Sequence, residues 1–189
     1  MIWVERGNEL FNLKMGKQKF SCASCHSQKG LSLKGVAISY PKVYDKKLIN
    51  LEQKINICLK YNINIKPYKL ESNSLLSLSS FITYISKGML MNVSIEGEAE
   101  EYFKKGKKLY FQRVGQMNLA CNQCHDLLAG NYLRAEKISQ GHINGFPSYL
   151  MRWENIASVH RRFQFCNNQA IAEALDIGHD DYNALQMYI

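Results

Sequence analysis

No run of 18 apolar residues occurs in the 189-residue chain, which excludes a transmembrane helix. Low-complexity stretches are lacking, and strand-like alternation is scarce. The first residues, Met1-Ile2-Trp3-Val4-Glu5-Arg6-Gly7, do not have the successive regions of a secretory leader. Acidic residues are in deficit, 16 against 24 lysines and arginines, for a net charge of +8. Such an excess suits an acidic partner or an anionic substrate, and the plainer reading is a solvated lysine-rich surface. Cysteine is nearly absent outside two short segments, which leaves only Cys58 and Cys166 to be explained.

Those segments are Cys22-Ala23-Ser24-Cys25-His26 and Cys121-Asn122-Gln123-Cys124-His125. Cys-X-X-Cys-His is the attachment signature of c-type haem: both thiols add across porphyrin vinyl groups, and the histidine supplies one axial iron ligand. Two covalently attached haem c groups are therefore expected. Their roughly four propionate charges halve the basic excess, and no nucleic-acid partner is expected. Haem c is attached outside the bacterial cytoplasm, so the expected location is the periplasm. The sequence then reads as a mature or trimmed form, cut short at both ends, since Gln186-Met187-Tyr188-Ile189 stops within a helical pattern.

An offset of 99 residues lays one half of the chain on the other. Gly7, Leu10 and Phe11 fall on Gly106, Leu109 and Tyr110, Gly16 falls on Gly115, and the haem motifs coincide. A glycine beside an apolar-aromatic pair ahead of the motif is typical of the N-terminal helix of class I cytochrome c. The helix it crosses is visible in the apolar spacing from Leu75 to Ile85, whose end matches Tyr188-Ile189 at an offset of 104. Leu51 to Lys60 matches Val159 to Asn168 at an offset of 108. The expected fold is mainly α, with two tandem class I cytochrome c-like domains and few or no strands. The domains are 1–95, carrying the first haem, and 96–189, carrying the second haem and the active site, with a linker near Met91 to Gly97.

The sixth ligand is then the question. For the first haem the rivals are Cys58, Met89 and Met91; for the second they are Cys166, His142, His160 and Met151. Methionine raises the potential and is usual in electron carriers, but no methionine recurs in both units, whereas the cysteine does. Cys58 and Cys166 could instead be buried free thiols or an interdomain disulfide. Their equivalent positions favour two His/Cys haems: His26 with Cys58, and His125 with Cys166. Thiolate stabilises Fe(III) and lowers the potential.

The stretch from Ser139 to Asn168 is dense in charged, aromatic and glycine residues, with Arg152-Trp153-Glu154 and His160-Arg161-Arg162 within it. If residues 155–166 are helical, Arg162 stands at i−4 to Cys166 on one face. A guanidinium there stabilises a sulfur anion and offers a fork of donors to a dianion. For Arg161 the favoured reading is a propionate clamp or a solvated side chain, and His142 reads as a loop residue. No basic run precedes Cys58, where Glu52, Gln53, Lys54 and Asn56 stand.

These residues resemble the SoxA family of dihaem cytochromes of bacterial thiosulfate oxidation. The likeness spans nearly the whole chain and includes Gly35-Val36-Ala37, Tyr40-Pro41, Leu51 to Asn56, Tyr68 to Ser72, Ile138-Ser139-Gln140-Gly141-His142 and Arg161-Arg162. It implies that Cys22 and Cys25 hold the first haem with His26 and Cys58 on its iron, far from the reaction. It implies that Cys121 and Cys124 hold the second with His125 and Cys166 on its iron, and that Cys166 and Arg162 are catalytic. The implied activity is that of an L-cysteine S-thiosulfotransferase. Thiosulfate is joined oxidatively to the cysteine of a SoxYZ-like carrier, giving cysteine S-thiosulfonate, and electrons leave to a cytochrome c acceptor. The implied stable partner is a SoxX-like monohaem cytochrome c in a heterodimer. The competing expectation is a dihaem electron-transfer cytochrome that makes no bonds.

Overall fold

The computed structural model describes residues 1–27 and 29–189. The first half runs α1 (Ile2–Asn12), α2 (Cys22–His26), β1 (Lys42–Tyr44), β2 (Lys47–Ile49), α3 (Leu51–Tyr61) and α4 (Asn73–Ile85). The second half repeats this order as α5 (Glu100–Phe111), α6 (Cys121–His125), β5 (Ser148–Leu150), β6 (Asn155–Ala157), α7 (Val159–Gln169) and α8 (Asp180–Tyr188). A hairpin of β3 (Tyr132–Leu133) and β4 (Glu136–Lys137) stands between α6 and β5, with no counterpart in the first unit among the described residues. Helices dominate, as expected. The strands form three two-stranded antiparallel hairpins, each too short for residue alternation to reveal in the sequence.

In each unit the first helix crosses the last at a glycine. A Cβ on Gly7 would run into the carbonyl oxygen of Ser77 and come within 2.7 Å of Phe81 Cβ. On Gly106 it would run into the carbonyl oxygen of Ala184 and come within 2.9 Å of Tyr188 Cβ. Beside each crossing an aromatic pair fills the core, Phe11 with Phe81 at 5.2 Å and Tyr110 with Tyr188 at 5.3 Å between ring centroids. These contacts correct the expected register of the last helix. Ser77 matches Ala184 and Phe81 matches Tyr188, an offset of 107 and not 104. Two aromatic-aliphatic steps near the end of α4 allowed the wrong match, and the glycine crossing decides between them.

The third helices start on side-chain caps. Asn50 and Gln53 exchange backbone-to-side-chain bonds of 2.9 Å at α3, a reciprocal capping box. Ser158 Oγ accepts from the Arg161 amide at 3.3 Å to open α7. Helix α7 thus begins at Val159, and residues 155–157, read from sequence as helix, form strand β6. Arg162 and Cys166 remain within one helix, so their i, i+4 relation holds.

The two units embrace by exchange. Strand β2 packs on α8 and β6 on α4. Leu48, Ala99, Ala184 and Met187 form a buried apolar cluster between the units. Around it Asn183 Nδ2 donates to Leu48 O and Gln53 Oε1, each at 3.0 Å, and Gln53 Nε2 donates to Gly178 O at 3.0 Å. The Ser158 amide faces both carboxylate oxygens of Glu71 at 3.3 Å. The expected linker runs without regular structure up to a 3-10 turn at Gly97–Ala99, and Val93 within it packs against the interunit cluster.

Candidate functional site

Each haem motif is a one-turn helix, which puts its two thiols three residues apart on one face and the histidine at its end. The third helix brings a further sulfur toward them. Burial, reinforced by Cys58, pushes the Cys22 thiol up to about 11. Burial, reinforced by Cys166, pushes Cys121 up to about 11 in the same way. Cys58 and Cys166 are themselves raised by burial. Each spare cysteine therefore lies within electrostatic reach of its own motif, and all six thiols are unbonded to one another, which removes the disulfide reading.

His125 Nδ1 lies 2.9 Å from Ser139 O, and because a carbonyl only accepts, Nδ1 carries the proton and Nε2 is left as a ligand. Gly141 lies against that ring, where a Cβ would come within 2.9 Å of His125 Cγ. The segment Ser139-Gln140-Gly141 is thus a cradle for the His125 ring. His160 is disqualified as a ligand. It is fully buried, its Nδ1 accepts from the Gly178 amide at 3.0 Å, and its Nε2 donates to Gln186 Oε1 at 3.1 Å. Burial pushes its pKa down to about 4. His142 is exposed, and Met151 is 86% exposed at a hairpin tip. Met89 lies over Gly35 beyond the end of α4, and it and Met91 stay nearly half exposed.

These donors fit haem better than a bare ion. No three His, Cys, Asp or Glu side chains among the described residues close on a common point. Two thiols on one helical turn, an imidazole with Nε2 free and a sulfur from a separate helix suit a group with breadth of its own. Partly buried apolar side chains pack against the same cores as Cys22 and Cys121, including Leu33, Val36, Ala37 and Ile57 in the first unit and Ile143, Phe146 and Leu175 in the second.

The units part company at the hairpin before the third helix. In the first, Tyr44 pairs with Lys47 and the tip is Asp45-Lys46, both at positive φ, a two-residue turn. In the second, Leu150 pairs with Asn155 and the tip is Met151-Arg152-Trp153-Glu154. The two added residues raise the offset from 106 at Pro41 and Pro147 to 108 at Cys58 and Cys166. They also bring Arg152 and Trp153 over α7. The Arg152 guanidinium sits 4.3 Å from the Phe165 ring centre, Arg162 5.2 Å from the same ring, and Arg161 4.5 Å over Trp153. Trp153 meets Phe165 edge-on at 6.0 Å, and Arg152 also pairs with Glu136 of the extra hairpin.

Arg162, and then Arg152, oppose the effect of burial on Cys166. At the first site the residue equivalent to Arg162 is Lys54, and it is not idle. Its ammonium lies 3.5 Å from the Tyr44 ring centre and pulls Cys58 downward against burial. As the sequence reading has it, no basic run precedes Cys58, and Lys54 is the single cation there. The same reading assigns no role to Arg152, although the two-residue jump in offset marks that insertion. Arg161 stacks on Trp153 and so is not a freely solvated side chain.

Paired motif helices, glycine-dependent helix crossings and a facing sulfur in each unit define a tandem c-type cytochrome. The family described as SoxA/TsdA, cytochrome c domain, matches residues 6–91, which implies covalent haem c. The L-cysteine S-thiosulfotransferase subunit SoxA of Pseudaminobacter salicylatoxidans is 38% identical over 193 residues, covering 100% of this chain and 67% of that protein. Its namesake from Paracoccus pantotrophus is 36% identical over 191 residues, covering 100% of this chain and 66% of its own. The crystal structure of SoxXA from P. pantotrophus superposes with a TM-score of 0.94 at 36% identity, covering 100% of this chain and 72% of that chain. The chain belongs to the SoxA family, and it spans about two thirds of the length of these curated relatives. No helix among the described residues is long and apolar enough to cross a membrane.

Proposed function

We propose that the chain is the catalytic dihaem subunit of an L-cysteine S-thiosulfotransferase acting in the periplasm, with cytochrome units at 1–95 and 96–189. The observation that carries this is the second site, where Arg162 and Arg152 converge on one aromatic ring beside Cys166. An electron carrier has no need of two guanidiniums beside a ligand sulfur, whereas a small dianion such as thiosulfate requires them. In the reaction one S–S bond forms between thiosulfate and the carrier cysteine and one S–H bond breaks. One proton and two electrons leave, the electrons passing to a cytochrome c acceptor. Arg162 holds sulfonate oxygens and orients the outer sulfur, Arg152 adds charge from the hairpin side, and Cys166 presents its sulfur to the reacting pair. His26 with Cys58 and His125 with Cys166 would hold the two irons, with Cys22, Cys25, Cys121 and Cys124 as thioethers. When bound, the second haem supplies an electron sink next to Cys166.

The partners proposed are a SoxX-like monohaem cytochrome c, since the similar solved structure bears the name SoxXA, and a SoxYZ-like carrier. Arg162→Ala tests the reading. Loss of a charge-assisted bond of about 2 kcal/mol predicts a drop of about thirtyfold in kcat/KM for thiosulfate, with both haem spectra unchanged. Intact-protein mass spectrometry should find a sulfur adduct on Cys166 and none on Cys58. Unchanged turnover in the variant would leave the dihaem electron-transfer reading in its place.

A further inference from the structure

Three helices of this chain open on a backbone amide that is accepted by the side chain three residues on. The Ser21 amide donates to Ser24 Oγ at 3.1 Å ahead of α2, the Asn50 amide to Gln53 Oε1 at 2.9 Å ahead of α3, and the Ala120 amide to Gln123 Oε1 at 2.8 Å ahead of α6. Helix α7, which carries Arg162 and Cys166, breaks the pattern. Its N-cap is Ser158, and the residue three on is Arg161, whose guanidinium has donors only and lies over Trp153. The Ser158 amide is also shut away from water, since Ser158 is 5% exposed and Ala157 and Val159 on either side are buried. A buried N–H without a partner is costly, so this one needs an acceptor from elsewhere.

The acceptor comes from the other unit. Both carboxylate oxygens of Glu71 face the Ser158 amide at 3.3 Å. Among the described residues Glu71 makes no ion pair. Its charge is left to that amide and to the N-terminal end of α7, where a carboxylate is favoured. Glu71 takes a left-handed backbone, φ 65°, which is rare for a long side chain and persists where the surroundings hold it. Two residues on, Asn73 Oδ1 accepts from Asn155 Nδ2 of β6 at 3.0 Å. The start of α4 thus grips the junction of β6 and α7 through both side chains. Before that junction the β5–β6 hairpin carries Arg152 at its tip. After it, Ser158 O accepts from the Arg162 amide at 3.3 Å, so Ser158 joins Glu71 directly to Arg162.

We infer that Glu71 is a positioning residue for the second site, completing the cap of α7 across the unit boundary and so fixing where Arg162 stands beside Cys166. Arg161 is thereby released from capping and stacks on Trp153. The first unit serves the second site through this side chain without contributing a reacting group. The kinetic arm of the test rests on the thiosulfate reading; the exchange and spectroscopic arms do not depend on sulfur transfer.

The test compares Glu71→Ala, Glu71→Gln, Arg161→Gln and the double variant E71A/R161Q as dihaem holoproteins. Glu71→Ala should speed deuterium uptake at the start of α7 about tenfold. It should also shift the ferric electron paramagnetic resonance of the second haem and leave that of the first unmoved, although Glu71 belongs to the first unit. For thiosulfate, kcat/KM should fall about tenfold, chiefly through KM, since Arg162 is the group displaced. Glu71→Gln keeps an acceptor and should stay within about twofold of the parent protein. The double variant should recover to within about threefold of Arg161→Gln alone, because glutamine there caps within the helix, as Gln53 and Gln123 do. If Glu71→Ala does not load both haems, Glu71→Asp takes its place, keeping the charge on a shorter reach, with about threefold effects expected. Lower stability with the second haem's resonance and KM at parent values, equal change in both haems, or no recovery in either glutamine variant would overturn the inference. A parent protein without thiosulfate turnover would sink the functional reading alone, and deuterium uptake and resonance would then decide this inference by the same criteria.

Discussion

The two units place a cation four residues before a facing cysteine, yet only the second gathers another guanidinium beside it. In the first, Lys54 lies over Tyr44 below a two-residue turn. In the second, Arg162 shares Phe165 with Arg152, and Arg152 is supplied by a tip two residues longer. Lysine is a hydrated point charge, whereas guanidinium is a planar fork suited to oxyanions and aromatic faces. One substitution and one short insertion thus separate the surroundings of Cys58 from those of Cys166. The helix crossings and the motif turns stay the same.

Replacing the cysteines should give the largest contrast. Cys166→Ala is expected to reduce thiosulfate-dependent turnover by about a thousandfold or more, while Cys58→Ala keeps most of it and changes the first haem spectrum only. Equal loss in both would make the sites equivalent and undo the comparison.

The crossings should fail alike. Gly7→Ala and Gly106→Ala each press a methyl on a backbone carbonyl that cannot yield, and each should lower unfolding stability by about 3 kcal/mol. A large difference between the two in chemical denaturation would show that the units do not share one scaffold.

pH should separate them by sign. His160 occupies the position of Glu52, and the two titrate in opposite senses. The pKa of His160 falls from about 6.5 to about 4 through burial, with His179 adding to the effect and Gln186 opposing it. Between those values the unfolded chain takes a proton that the folded one refuses. Stability is therefore full above about pH 6.5 and declines toward pH 4, by up to about 3 kcal/mol. The pKa of Glu52 is raised by burial, with Ser79 opposing and Glu71 adding. Its ionisation costs stability as pH rises above the ordinary carboxylate range. Denaturation midpoints should fall less on acidification in His160→Gln and rise at pH 8 in Glu52→Gln.

The smallest effect is expected at the hairpin tip. Arg152→Ala should reduce kcat/KM about fivefold, less than Arg162→Ala, because Glu136 already shares its charge. Lys54→Arg at the first site should create no sulfur adduct on Cys58.

Much of this was legible in advance. Both motifs, the duplication, the equivalence of Cys58 with Cys166 and the i−4 position of Arg162 follow from spacing alone. The register of α8 was misread because apolar-aromatic pairs recur along a helix, and only the carbonyl oxygens of Ser77 and Ala184 show which turn meets the glycine. Arg152 went unassigned because a hairpin tip has no periodicity to place it over α7. The same holds for the Glu136 pair, the Ser139 cradle under His125 and the exchange of β2 and β6 between units.

The sequence by itself determined the chemistry available, since covalent attachment and i, i+4 placement depend only on residues a few positions apart on a regular helix. Only the tertiary structure decided which charges reach Cys166 and which histidine is withheld from iron. Those outcomes rest on contacts between segments distant in the chain, whose distances no local periodicity encodes.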